Sequence, residues 1–191
     1  DELIAMSIVR HAEFDSDTRD RYLRWSNARR RAEGEGESSA DPLPSAPEQA
    51  DEMAAAEQFV LSITENGYGK RTSAYEYRVT GRGGQGIINI EASDRNGPVV
   101  ASAPVEEDHH IMLVTDTGRL IRTPVHDIRI AGRNTQGVTL FDVEPNERVV
   151  SVAWLSEQND GEDADDDGDD GETGDAPNVA PSDSPGNTDD E

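Results

Sequence analysis

The chain repeats itself. Displaced by 51 residues, Thr64 falls on Thr115, Gly67 on Gly118, Arg71 on Arg122 and Thr72 on Thr123; Arg78 falls on Arg129, Gly81 on Gly132, Arg82 on Arg133, Gln85 on Gln136 and Gly86 on Gly137. Apolar positions coincide as well, Ile63 with Val114, Ile87 with Val138 and Val99 with Val150, and no gap is needed. A period near fifty residues with several short apolar runs per unit marks a propeller-like array, in which neighbouring units bury what one unit cannot. Within the units, β-branched runs such as FVLSIT, EYRV, IINIEA and PVVASAPV are broken by turn signals, which predicts an all-β fold. Asn66-Gly67 and Asn96-Gly97 favour the hairpin types that need positive φ. Two blades of about four strands are expected, over 58–105 and 106–155. DELIAMSIV at 1–9 matches the closing run NERVVSVAW, so a strand there is expected to close a preceding blade, residues 1–10.

Residues 11–57 interrupt the array. DSDTRDRYLRWSNARRRAE predicts a helix over about 15–33, capped by Asp15, Ser16 or Asp17 and free of internal Gly and Pro. Its apolar side is thin: Tyr22, Leu23, Trp25 and Ala28. Residues 34–48 read as a flexible linker and 48–57 as a short helix.

Charge is unevenly spread. The net charge is −24, yet residues 58–155 hold 12 acids and 10 bases, whereas residues 156–191 hold 15 acids and no base. The overall balance therefore does not argue against a polyanionic partner for the repeats. The acidic segment lacks large apolar residues and is expected to be disordered. There is no cysteine, so disulfides and thiolate metal sites are excluded. No apolar run approaches the ~18 residues of a membrane span. The acidic N-terminus is no signal peptide, and its direct entry on an apolar run without Met suggests a piece of a longer chain.

GRGGQG at 81–86 satisfies the dinucleotide-loop pattern literally. Its repeat copy, GRNTQG at 132–137, drops the middle glycine, and both copies lead into strand-like runs instead of a helix. Dinucleotide binding is set aside. The glycines Gly81, Gly83, Gly84, Gly86, Gly132 and Gly137 are expected to permit tight strand-to-strand turns with positive φ. No catalytic constellation stands out, and no metal site is expected. His109 and His110 follow an acidic run read as an exposed turn, and DDDGDD at 165–170 lacks the ligand order of a calcium loop.

TENGYGKRT, GRGGQGIINI, RNGPVV, TDTGRLIRTPV and GRNTQGV, in this order and spacing, strongly resemble the C-terminal domain of the DNA gyrase A subunit. The resemblance covers about 58–155 and the run at 1–10. It implies the last two blades of a β-pinwheel, a propeller-like disc whose four-stranded blades exchange strands and whose basic rim wraps duplex DNA. The implied parent is a cytoplasmic, nucleoid-associated topoisomerase of A2B2 composition that supercoils DNA negatively with ATP and Mg2+. Those cofactors act elsewhere, and none is implied on this chain. The family's QRRGGKG-type loop belongs to a first blade that the sequence does not contain, and TGRGGQG matches it only at Arg82, Gly83, Gly84 and Gly86. The catalytic tyrosine lies in another region, and Tyr22, Tyr68, Tyr75 and Tyr77 have no matching context. The 11–57 insertion has no counterpart in the pattern.

Wrapping needs cations along a curved surface, where they meet phosphates and release counterions. The candidates are Lys70, Arg71, Arg82, Arg119, Arg122 and Arg133, all in or beside turns. The alternative is that a recurrent Arg bonds carbonyls across a blade or pairs with an acid. Arg78 and Arg129 alternate with strand residues and suit local pairing. The arginines of the 15–33 helix read either as a solvated face or as a contact for DNA or the acidic segment. That segment is either a tethered competitor for the rim or a solubilising tail. Two rival readings are the corresponding domain of topoisomerase IV and a propeller scaffold that binds protein.

Overall fold

The computed structural model describes residues 3–34 and 43–156. Two helices, α1 (Ser16–Gly34) and α2 (Ala50–Ala56), precede seven strands: β1 (Phe59–Thr64), β2 (Tyr68–Ser73), β3 (Val99–Val105), β4 (His110–Thr115), β5 (Leu120–Pro124), β6 (Val138–Thr139) and β7 (Val149–Leu155). The strands form two antiparallel sheets, in the orders β3-β1-β2-β6 and β5-β4-β7. Neither helix is long and apolar enough to cross a membrane.

The repeat is visible in detail. β1 and β4 lie 51 residues apart, and each carries a bulge before its last residue, at Ile63/Thr64 and Val114/Thr115. Each is followed by a tight turn closed by a glycine amide, Gly67 N–H to Thr64 O at 3.1 Å and Gly118 N–H to Thr115 O at 3.0 Å. Only the glycines have positive φ there, +75° and +85°. The turns are thus the kind that ends in a left-handed glycine, not the type with both central residues at positive φ. Asn96 does not turn a hairpin either. Its buried side chain accepts from Ser93 N–H and donates to the carbonyls of Glu91 and Gln136.

The gapless repeat fails at the last strand. Thr64 pairs with Val99, but Thr115 pairs with Val149, so the second unit is one residue shorter there. Val149 is buried while Val150 is 54% exposed. Because two valines stand side by side, identity could not fix the register that burial fixes.

Strand exchange explains the remaining differences. β6 comes from the second repeat but completes the first sheet, pairing Gly69 with Val138 and Tyr68 with Thr139. The corresponding run IINIEA in the first repeat forms no strand, nor does EYRV, which opens instead in the one-turn helix Ala74–Glu76. By the same displacement IINIEA would pair with a unit upstream of the first repeat, and the described residues hold no such sheet. The strand expected over 1–9 is likewise not formed among the described residues 3–9, which hold no opposite strand for it. Leu3, Met6 and Ile8 are exposed there, and among the described residues the segment is tied down nearby through Ser7 Oγ to Ser102 O and Arg10 N–H to Gln58 Oε1.

One apolar core spans both repeats. Leu61, Ile63 and Val105 from the first meet Ile111, Leu113, Val125, Ile128, Phe141 and Val149 from the second. Each fully buried aliphatic contributes on the order of 2 kcal/mol relative to exposure, so neither unit is expected to persist without the other. The insertion has a smaller cluster of Tyr22, Met53 and Tyr75. Asp15 caps α1, accepting from Thr18 N–H at 2.9 Å and Thr18 Oγ1 at 2.7 Å. Most of the expected 34–48 linker and nearly all of the acidic segment, DDDGDD included, lie outside the described residues.

Candidate nucleic-acid interface

Two of the six candidate cations are structural. Lys70 is fully buried, and its ammonium donates to the carbonyls of Gly132 at 2.6 Å, Arg133 at 2.7 Å and Thr135 at 3.1 Å, and to Thr135 Oγ1 at 3.2 Å. It thereby shapes the second glycine loop from within. Burial pushes its pKa down to about 8, against the opposing influence of Glu76. Arg71 is 5% exposed and reaches forward into the second repeat. Its Nε donates to Ile128 O at 2.7 Å and a terminal nitrogen to His126 O at 3.0 Å, and it pairs with Glu107. The backbone of Arg71 is stitched to the same segment through Arg129 O and Ala131 N–H. Neither side chain can meet a phosphate without dismantling the contact between the repeats, which corrects their assignment to a DNA surface.

Displacement by 51 residues places Arg122 at the position of Arg71, but on the open strand β5, where no third repeat follows among the described residues. Arg122 is exposed, with its Nε 3.3 Å from His110 Nδ1. Arg119 is 44% exposed at its side chain, stacks 4.6 Å over the ring of Phe141 and ion-pairs with Glu147 at 2.5 Å. Glu147 is the acid the sequence did not point to. Its buried carboxylate accepts from the hydroxyls of Thr117 and Thr115, from Glu144 N–H and from Arg119, and the Thr117 bond first among these holds its pKa down to about 2.

The two glycine-loop arginines differ. Arg82 lies in an exposed turn, and its guanidinium has no bonding partner among the described residues. Arg133 is one-quarter exposed; a terminal nitrogen donates to Ile88 O at 2.9 Å, and its backbone N–H donates to Glu76 Oε2. The structure therefore does not gather the six into one cluster. It leaves Arg82, Arg122 and part of Arg119 and Arg133 at the surface. Sequence reasoning passed over two further surface cations, Arg95, stacked 5.1 Å over Tyr68, and Arg148, paired with Glu65.

The glycines divide too. Gly83, Gly86 and Gly137 have positive φ; Gly81, Gly84 and Gly132 do not, which corrects the expectation for those three. Gly137 also lies against the Gly69 backbone, where an added Cβ would come within 2.7 Å of an oxygen, so strand exchange itself requires it. Glu106, Asp108 and His109 form the turn after β3 with ligand atoms within 4.8 Å of one another, at the surface.

Comparison with known proteins agrees with this architecture. Residues 58–106 and 109–153 match the family described as DNA gyrase C-terminal domain, beta-propeller. The DNA gyrase A subunit of Granulibacter bethesdensis is 47% identical over 167 residues, covering 80% of this chain and 18% of that protein. That of Rickettsia bellii is 43% identical over 163 residues, 84% of this chain and 18% of the relative. The Haemophilus influenzae protein is 51% identical over 96 residues, 50% of this chain and 11% of that protein. Matches to 80% or more of the chain reach into the residues before the two repeats; a match to half needs no more than the two repeats. A solved DNA gyrase A C-terminal domain superposes with a TM-score of 0.48 at 28% identity, over 52% of this chain and 34% of that one. A topoisomerase IV C-terminal domain gives 0.47 at 24%, over 52% and 31%. The chain spans about a fifth of the length of the first two relatives. With both repeats matched in order and strand exchange between them, the chain belongs to the DNA gyrase C-terminal domain family.

Proposed function

We propose that this chain is a duplex-DNA-wrapping part of a DNA gyrase A subunit. The observation that carries the proposal is the pair of family repeats whose first glycine loop presents Arg82 at the surface with no bonding partner among the described residues. An exposed guanidinium on a turn can grip a phosphate through two donors. Bending stiff duplex costs several kcal/mol, so many such contacts have to act together. In this reading Arg82, Arg122 and the exposed parts of Arg119 and Arg133 track the backbone, while Lys70 and Arg71 hold the two repeats in register. The protein partners are the B subunit together with the remainder of the A subunit. ATP and Mg2+ act elsewhere in the assembly, and the setting is cytoplasmic and nucleoid-associated. The relatives matched in sequence over most of the chain are gyrase A subunits, which favours gyrase over topoisomerase IV.

The 15 carboxylates of 156–191 sit on the same chain at high effective concentration and compete with DNA for these cations. Duplex binding over a salt series, with the full chain and a chain stopped at Leu155, tests both parts. The expected result is a linear fall of log affinity with log salt for both, and tighter binding for the shorter chain. Equal affinities would remove the competing role of the segment. No salt-sensitive binding by either folded chain would remove the DNA reading.

A further inference from the structure

We propose that helix α1 of the insertion is itself a phosphate-contacting element, which widens the DNA track through Arg24 and Arg31; this rests on the DNA reading above. The helix is docked, not free. Tyr22 Oη donates to Glu57 Oε2 at 2.8 Å, Arg30 reaches the same oxygen at 2.5 Å, and Tyr75 Oη donates to Met53 O at 2.9 Å. The rings of Tyr22 and Phe14 meet Tyr75 edge-on at 5.5 and 5.9 Å.

Little of the helix serves a core. Its buried residues are Thr18, Tyr22 and Ser26, one per turn, and two of the three are polar. Leu23 and Trp25 pack partly buried against the Tyr22, Met53 and Tyr75 cluster, and the rest of the 19-residue helix keeps a wide polar surface. On one of those faces Arg24 and Arg31 are seven residues apart, which brings them within about 20° of each other around the axis and roughly 10 Å apart along it. Arg24 has no bonding partner among the described residues, and Arg31 bonds only the carbonyl of Asn27 one turn earlier.

The two arginines face the loop already assigned to DNA. An open groove of about 480 Å3 runs between α1 and the second glycine loop, and Arg24, Arg31 and Arg133 all line it. Two acids line it as well. Glu76 is engaged by the backbone N–H of Arg133 and lies 3.9 Å from its guanidinium Nε, and Asp20 precedes Arg24 by one turn. Three cations converging on one groove suit a polyanion, and continuity with the glycine loop makes that polyanion the duplex backbone. Contacts of this kind position DNA and carry no base preference.

The test compares the full chain with Arg24→Gln/Arg31→Gln and, separately, with Arg82→Gln, using two duplexes of unrelated sequence over a salt series. The double variant is expected to melt as the parent does and to lower the log–log salt slope by about 2, since each phosphate contact contributes roughly 0.9. The loss should be equal on both duplexes, and Arg24→Lys/Arg31→Lys should restore the slope. A parental slope in the double variant, with a reduced one in Arg82→Gln, overturns the helix contact and leaves the DNA reading standing. Absence of binding by the folded parent overturns both. A loss that vanishes when the chain is stopped at Leu155 would place these arginines against the acidic segment and overturn the proposal.

Discussion

Gly67→Ala is expected to cost about 4 kcal/mol, and Gly118→Ala, at the equivalent position of the second repeat, about 1 kcal/mol. Both glycines close the same loop at positive φ, so both substitutions bear the left-handed strain of an L residue. The difference lies in strand exchange. A Cβ on Gly67 would sit 2.1 Å from Phe141 O, whereas one on Gly118 meets nothing within 4 Å. The carbonyl of Gly67 also accepts from the amides of Leu140 and Phe141, so the crossing segment cannot back away without losing those bonds. Phe141 belongs to the core common to both repeats. Thermal melting reads the contrast directly, with a fall of roughly 10 °C or more for Gly67→Ala and about 3 °C for Gly118→Ala. Equal falls would mean that the exchanged segment does not lie where it is described.

The second large effect is at Lys70. Lys70→Met keeps much of the apolar stem but removes the donor to three carbonyl oxygens and a hydroxyl; Gly132 O keeps Thr135 Oγ1 and Thr135 O keeps Glu91 N–H, while Arg133 O loses its bond to Lys70, and about 3 kcal/mol of stability should be lost. The pH dependence has a definite sign. The folded pKa, about 8, lies below the ordinary 10.5, so the folded chain releases this proton before the unfolded chain does. Between about pH 8 and 10.5 the unfolded state binds more protons, and this group makes the fold more stable as pH rises. Denaturant titrations of parent and variant should therefore diverge across that window. A constant difference would mean that the ammonium is not buried as described.

Much of the architecture was legible because it rests on local rules. The 51-residue displacement located both hairpins, and of the three candidate caps Asp15, Ser16 and Asp17 it is Asp15 that closes the helix start. The misreadings share a different cause. Lys70 and Arg71 look like surface cations beside a turn, and what buries them is a set of carbonyl oxygens 55 to 65 residues downstream. Carbonyls belong to every residue and leave no trace in a sequence. IINIEA has strand composition, but a strand needs an opposite edge. Its copy VTLFDV finds one at β2 only over Val138 and Thr139. The one-residue slip at β7 was hidden because Val149 and Val150 are identical, and Glu147 carried no motif.

The division between buried cations that hold the repeats and exposed ones proposed to meet DNA is tested most directly by duplex affinity of Arg82→Gln against salt, with melting measured on the same sample. The expected result is unchanged melting and a salt slope lower by about 1, one phosphate contact. A parental slope would contradict the placement of DNA at the exposed glycine loop, and an early melt would show that Arg82, like Lys70, belongs to the fold.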